Sequence, residues 1–446
     1  MEQKNLLQYV LLIGSGFFMI FAVLVFSGII PIGSKVSKFG GQVLLWGTVP
    51  DVEIRQFIAD FNNNHKREFN LVYRAFPEED FDQELLEAIA AARGPDLVLL
   101  PDNLIVRYED KVFPVPFASY PLRSFQDIFV EEGELFVTAN GILALPLFVD
   151  PLILYWNRDL FSSAGIALPP AYWDELLVMA PRLSLIEERT NIVTRSAVAM
   201  GEAVNIANFK AILSALFIQA GDNIIRRDTT GVLTSVLGAF SENGISAAES
   251  GVRFYTGFAN PSQKIYSWNR ALSEAERAFV GNQLAMYFGF ASELADIRTK
   301  NPHLNFRTAM LPQIRGALAE KTFGRITGVA ALRSSGNLET AFRVMFALSE
   351  PDPVRVFATA ARVAPARRDI LVETEGTDAD QSVFRDSAII ARGWLDPVSS
   401  ETNAIFQTMV EGVTSGRERE RGAVSRASRA LQRLLPSVVP QPSTTI

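Results

Sequence analysis

The chain of 446 residues contains no cysteine and only two histidines, His65 and His303. The first absence excludes disulfides, thiolate metal sites, cysteine nucleophiles and a lipid-modified N-terminal cysteine. The second leaves too little imidazole for a zinc site or a histidine-based triad, so no metal and no cofactor is expected. A basic excess is missing too. Lys and Arg number 42 against 49 Asp and Glu, a formal net charge of −7. Phosphate backbones need a basic face, which removes nucleic acid from the expected partners. Nor is there a glycine-rich phosphate loop, because Gly14-Ser15-Gly16 lies inside an apolar run and no lysine motif follows it.

What is present begins with residues 9–32, YVLLIGSGFFMIFAVLVFSGIIPI, which carry no charge. About 20 apolar residues span a bilayer, so the run is long enough. A cleavable signal peptide has a shorter apolar core and an A-x-A-like exit, which this segment lacks. Residues 1–42 are therefore read as an uncleaved transmembrane helix with its polar spacer. Lys4 lies on one side of it and Lys35 and Lys38 on the other, so charge does not orient it.

Short strands and amphipathic helices then alternate. Residues 43–46 form an apolar strand-like run. Ile54, Phe57, Ile58 and Phe61 follow i, i+3, i+4, i+7 spacing, one face of a helix. Phe69, Leu71 and Tyr73 alternate as a strand does. Phe81, Leu85, Ile89 and Ala92 mark a second helix, stopped by Gly94-Pro95, and DLVLL at 96–100 is a buried strand. This βαβαβ order predicts a parallel sheet that binds ligands beyond the carboxyl ends of its strands. Trp46, Thr48 and Asp102 fall on that edge. The carboxylates of residues 78–87 are read as the solvated face of a helix. Later strands are expected at 142–147, 151–155, 283–288 and 306–311, with helices at 173–183, 208–220, 272–282 and 338–348. A basic surface helix is expected at 417–435 and a loose tail at 436–446.

Three blocks carry a resemblance. They are ALPLFVDPLILYWNRDLFSSAGIALPPAYWDEL (144–176), FVGNQLAMYFGFASELADIRTKNPHLNFRTAMLPQIRG (279–316) and FGRITGVAALRSSGNLETAFRVMFALS (323–349). In this order they resemble family 1 extracellular solute-binding proteins, the maltose-binding-protein type that serves ABC importers, over most of residues 43–415. The resemblance implies an α/β, two-lobed periplasmic-binding-protein-like fold of type II with hinge strands. Lobe one is implied at 43–149 plus 306–350 and lobe two at 150–305 plus 351–435, with crossings near 148–152, 305–308 and 350–354.

The same resemblance implies no enzyme and no catalytic residue. A small-molecule solute, a carbohydrate by preference, is captured between the lobes, for the permease subunits of an ABC transporter. Asp150 takes the family's acidic hinge place. Asn208, Phe290 and Ser292 stand in segments similar to cleft-facing ones, and Trp394 stands in a late aromatic loop that stacks on sugar. Tyr155, Trp156 and Trp173 are expected to pack the hinge strand and the core instead. The family's lipid-bearing cysteine is absent, and the transmembrane helix replaces it, placing a single-pass protein at the cell membrane with its soluble domain extracytoplasmic. Tyr172 stands where the family carries a capping Thr or Ser, which weakens that helix cap. Two other functions stay open at this point. One is a sensor that signals through a membrane partner. The other is a carbohydrate-active enzyme, which needs two cleft carboxylates roughly 5–10 Å apart.

Overall fold

The predicted βαβαβ start forms as a parallel unit. Its elements are β1 (Gln42–Gly47), α1 (Asp51–Asn64), β2 (Asn70–Ala75), α2 (Glu78–Ala90) and β3 (Leu97–Pro101). β1 lies between β2 and β3 and is parallel to both. The computed structural model describes residues 41–436, apart from residue 188, residues 240–245 and residues 374–377. The apolar run at 9–32 and the tail beyond 436 lie outside the described residues. Among the described residues no helix is long and apolar enough to cross a membrane.

The element that organises everything else is β4 (Leu145–Asn157), thirteen residues long and buried throughout. A strand without polar alternation is covered on both faces, and β4 is covered by two different neighbourhoods along its length. The chain continues through α3 (Trp173–Leu183), β5 (Val193–Val198), α4 (Phe209–Gln219), α5 (Ala247–Gly257) and β6 (Leu284–Phe290). Then come β7 (Phe306–Ala309), β8 (Thr322–Ala331), α6 (Leu338–Leu348), α7 (Pro351–Ala360), α8 (Ala379–Ile389), α9 (Ser399–Thr414) and α10 (Glu420–Leu434). Hydrogen bonding links the strands in the order β2-β1-β3-β8-β4-β6-β5, with β7 added to β4 off that path.

The first half of β4 pairs antiparallel with β8, which in turn pairs with β3. Its second half pairs with β6 and β7. One continuous ladder thus runs from lobe one into lobe two, and both β4 and β8 cross between them. Tyr155 and Trp156 belong to the far half. Tyr155 is fully buried and its hydroxyl donates to the Phe290 carbonyl at 2.6 Å, while the Trp156 ring meets Phe161 edge-on at 5.1 Å. Asn157 ends the strand by accepting the backbone N–H groups of Asp159 and Leu160, which starts the next helix. The hinge strand therefore uses its aromatics for packing, and Trp173 joins the same core through Gln219.

Two segments fall elsewhere than the implied boundaries. The resemblance implies lobe one for residues 306–309, yet β7 pairs with residues 154–157 of β4, on the lobe-two side. The return crossing is β8. The resemblance also implies lobe two for residues 351–360, but α7 buries Val354, Phe357 and Ala358 against lobe one, with Phe357 edge-on to Phe57 of α1 at 5.7 Å. An apolar helix face is placed by the partner that covers it, and spacing along the chain does not name that partner. The third connection comes after Ala364 and Pro365, which still pair with Val149 and Phe148.

Helix α10 is amphipathic as its sequence requires. Ala423, Val424, Ala427 and Leu431 are buried, while Arg426 pairs with Glu418 at 2.5 Å. The cap lost at Tyr172 is half replaced: Glu175 accepts the N–H groups of Ala171 and Tyr172, and the Arg315 guanidinium lies 4.0 Å over the Tyr172 ring.

Candidate functional site

Residues that follow the carboxyl ends of β1 and β3 meet lobe-two loops across a cavity of about 930 Å³. Thr48 follows β1, and Asp102 begins the turn after β3, where a parallel sheet presents backbone and side chains to a ligand. From the crossing strands come Asp150 on β4 and Arg325 on β8, which are direct cross-strand partners. Asn208, Phe290, Ser292 and Trp394 complete the opposite wall. Seven of the eight expected residues thus line one space. Trp46 does not line the cavity. Its ring packs on Phe76 at 4.5 Å, with the Arg74 guanidinium 5.1 Å away, and it is 5% exposed.

Asp150 is the junction of the site. Its carboxylate accepts the Ser292 N–H at 3.0 Å, the Ser292 hydroxyl at 2.7 Å and Arg325 at 2.7 Å. Arg325 in turn lies with its guanidinium 3.7 Å from the centre of the Phe290 ring. One hinge carboxylate therefore ties both crossing strands to the first turn beyond β6. Asn208 is held as firmly, donating to Glu293 at 2.9 Å and to the Tyr287 hydroxyl at 3.1 Å. Glu293 also accepts the Phe290 N–H, yet burial still raises its pKa above the usual carboxylate value.

Asp102 has no side-chain partner of this kind. Burial pushes its pKa up to about 7; Arg325 opposes the shift, and the Asp396 carboxylate of the facing lobe adds to it. Trp394 is only 5% exposed. Its indole N–H donates to Ser214 at 3.1 Å, and its ring stacks on Phe406 at a 10° interplanar angle. The expected stacking surface is thus largely occupied by the protein itself. Phe148, Phe290 and Phe323 also line the cavity while each exposing less than a tenth of its surface.

Sequence reasoning missed Arg325, Lys210 and Asp396. Lys210 donates to Asp396 at 2.7 Å and to the hydroxyls of Thr402 and Ser399 at 3.0 and 3.2 Å. A signal existed in the sequence. Lys210 is the sole charge in α4, FKAILSALFIQ, and Arg325 the sole charge in β8, TFGRITGVAA. A charge inside an otherwise buried element needs a partner or a ligand. The carboxylates of α2 are mostly exposed, as a solvated face requires, and Glu78 and Asp82 at its start also line the cavity. Asp82 there accepts from Arg107 at 3.1 Å and from the Tyr108 hydroxyl at 2.9 Å. Among the described residues no cluster of His, Cys, Asp and Glu is arranged to hold a metal ion.

Two α/β lobes, crossing strands and a cavity between them with charged and polar side chains in its wall define a protein built to enclose a small molecule. The chain belongs to the family of bacterial extracellular solute-binding proteins, which matches residues 48–352. This family serves ABC importers, and its members bind their substrates and are not enzymes. A binding protein of Brucella abortus (strain 2308) is 22% identical over 377 residues, covering 79% of this chain and 87% of that one. Solved structures are similar in fold. The sugar-binding protein MalE from Xanthomonas citri superposes with a TM-score of 0.71 at 17% identity, covering 88% of this chain and 97% of that one. The cyclic alpha-maltosyl-1,6-maltose binding protein from Arthrobacter globiformis gives 0.73 at 14% identity, covering 88% and 98%.

Proposed function

We propose that this chain captures a carbohydrate between its lobes for an ABC importer, while the apolar segment at residues 9–32 anchors it in the cell membrane. The observation that carries the reading is the cavity wall. Thr48 and Asp102 from one lobe face Asn208, Ser292 and Trp394 from the other, with Asp150 and Arg325 at the hinge. Sugar hydroxyls both donate and accept, and charged partners give them the stronger hydrogen bonds. Closing the lobes removes water from both faces of a bound ring, so those bonds lose less to solvent. A ligand that touches both lobes favours the closed arrangement by its differential contacts. The sugar-binding neighbours in fold support the same class of solute. Tethering keeps the receptor concentrated beside its transporter.

The test is thermal denaturation of the detergent-solubilised chain against sugars, polyols, amino acids and polyamines, with the mixture analysed for products. A rise in Tm with a sugar and no turnover is expected, because a ligand that binds the folded state alone stabilises it. Stabilisation confined to amino acids or polyamines would remove the carbohydrate reading.

A further inference from the structure

Charge divides the cavity walls into matched and unmatched groups. Lys210 is matched by Asp396, Arg325 by Asp150, and Arg362 by Glu53 at 3.8 Å. Asp82 is matched by Arg107, which is not part of the wall. Every cation that lines the cavity therefore has its own carboxylate. Eight carboxylates line it in all, against those three cations. Among the described residues, Glu78, Asp102, Glu293 and Asp296 have no cation within ion-pair range, and of these Glu293 is held by hydrogen bonds from Asn208 and the Tyr287 hydroxyl.

Hydrogen bonding shows the same imbalance. Asp102 is 6% exposed and has no side-chain partner, and its neighbour Asn103 carries a buried Oδ1 with no hydrogen-bond partner. Both are acceptors on the lobe-one wall. On the lobe-two side a chamber of about 230 Å³ adjoins the main cavity and shares Asn208, Glu293 and Asp296 with it. Glu274 and Glu276 line that chamber too, and its lone lysine, Lys300, is bound to Glu276 at 2.5 Å. The open aromatic faces that would favour a neutral sugar ring are scarce, as the burial of Trp394 and the three phenylalanines shows.

We infer that the solute carries a primary ammonium group on its hydroxylated frame, as an amino sugar or amino-oligosaccharide does, held between Asp102 with Asn103 on one wall and Asp296 on the other. The inference rests on the carbohydrate reading and narrows it. An ammonium has three donors and no acceptor, which complements a wall whose unmatched groups accept. Its bond to a desolvated carboxylate is stronger than that of a neutral hydroxyl. A uronate at the same place meets carboxylates that no cation of the wall offsets. The burial that makes ionised Asp102 costly also makes a cationic ligand the group that relieves that cost.

The experiment compares four disaccharides at neutral pH by titration calorimetry on the full chain. They are glucosamine dimer, its N-acetylated form, cellobiose and a uronic acid dimer, and spermidine is added as a cation without a sugar frame. Glucosamine dimer is expected to bind roughly tenfold or more tighter than cellobiose. Asp102→Asn should abolish that preference, a change typical of unpairing a buried charge. Asp296→Asn, at an exposed position, gives the same readout without a buried substitution should the first variant misfold. Equal binding of cellobiose or the acetylated dimer, tighter binding of the uronate, or an unchanged preference in both variants overturns the ammonium inference and leaves carbohydrate capture standing. Binding of spermidine alone, or of none of the five, overturns carbohydrate capture and the inference with it.

Discussion

Glu132 places both carboxylate oxygens in a buried position without any hydrogen-bond partner, and it is 1% exposed. Burial raises its pKa well above the usual value, Asp102 and Asp150 add to the rise, and Arg392 opposes it. The protonated acid is therefore the form the fold favours. Because the folded pKa exceeds the unfolded one, folding binds a proton, and the stability it contributes is complete below about pH 4, the unfolded carboxyl value. It is lost as pH rises through the folded pKa. Glu132→Gln should flatten this loss, so that its urea midpoint exceeds that of the parent at pH 8 by more than at pH 5. Parallel midpoints across that range would show that Glu132 does not titrate with folding. Asp102, pushed up to about 7, and Asp222, pushed up to about 6, drive the same trend in both proteins, which is why the difference between the two is the useful quantity. No local pattern in the sequence sets Glu132 apart from Glu131, which is exposed and pairs with Arg392. Its character comes from what covers it.

The cover is supplied by the hinge elements. Gly324 of β8 and Gly393, just beyond the strand pair formed with residues 391–392, leave the space that the Glu132 carboxylate fills. A Cβ built on Gly324 would stand 2.6 Å from Glu132 Oε2 and 2.9 Å from the Ala391 Cβ. Gly324→Ala should therefore destabilise the protein by about 1–3 kcal/mol, the usual cost of overfilling a packed site. The cost should be coupled to Glu132, so that a double-mutant cycle of Gly324→Ala with Glu132→Ala gives a non-zero interaction energy. Strict additivity in denaturant titrations would place the clash elsewhere. At this scale the sequence was legible where an element's own periodicity decides it, as in β1, α1, β3 and α6. It was less legible where a second element decides. β7 and α7 have clear patterns of their own, but their lobes were set by pairing with β4 and by contact with α1.

For the whole molecule, a single ladder of strands joins both lobes, and the cavity opens where β4 and β8 cross. Family membership accounts for capture of a solute outside the cytoplasm. Anchoring is a separate proposal, and it depends on residues 9–32. A run of 24 uncharged residues of this length partitions into a bilayer core. The full chain should thus stay with the membrane fraction after an alkaline carbonate wash, which strips peripheral proteins. Recovery in the wash supernatant would contradict a spanning anchor.

By itself the sequence determined the classes of chemistry that are absent, the α/β alternation, the family, and seven of the residues that line the cavity. These properties are written in residue types and short spacings, which backbone geometry converts directly into faces and strand ends. Only the tertiary structure decided that Trp46 packs on Phe76 and does not line the cavity, that Trp394 is held by Ser214 and Phe406, and that Arg325 and Lys210 stand in its walls already paired. Those outcomes depend on neighbours up to 192 residues away along the chain. Exposure and ionisation are properties of such neighbours, and no local pattern encodes them.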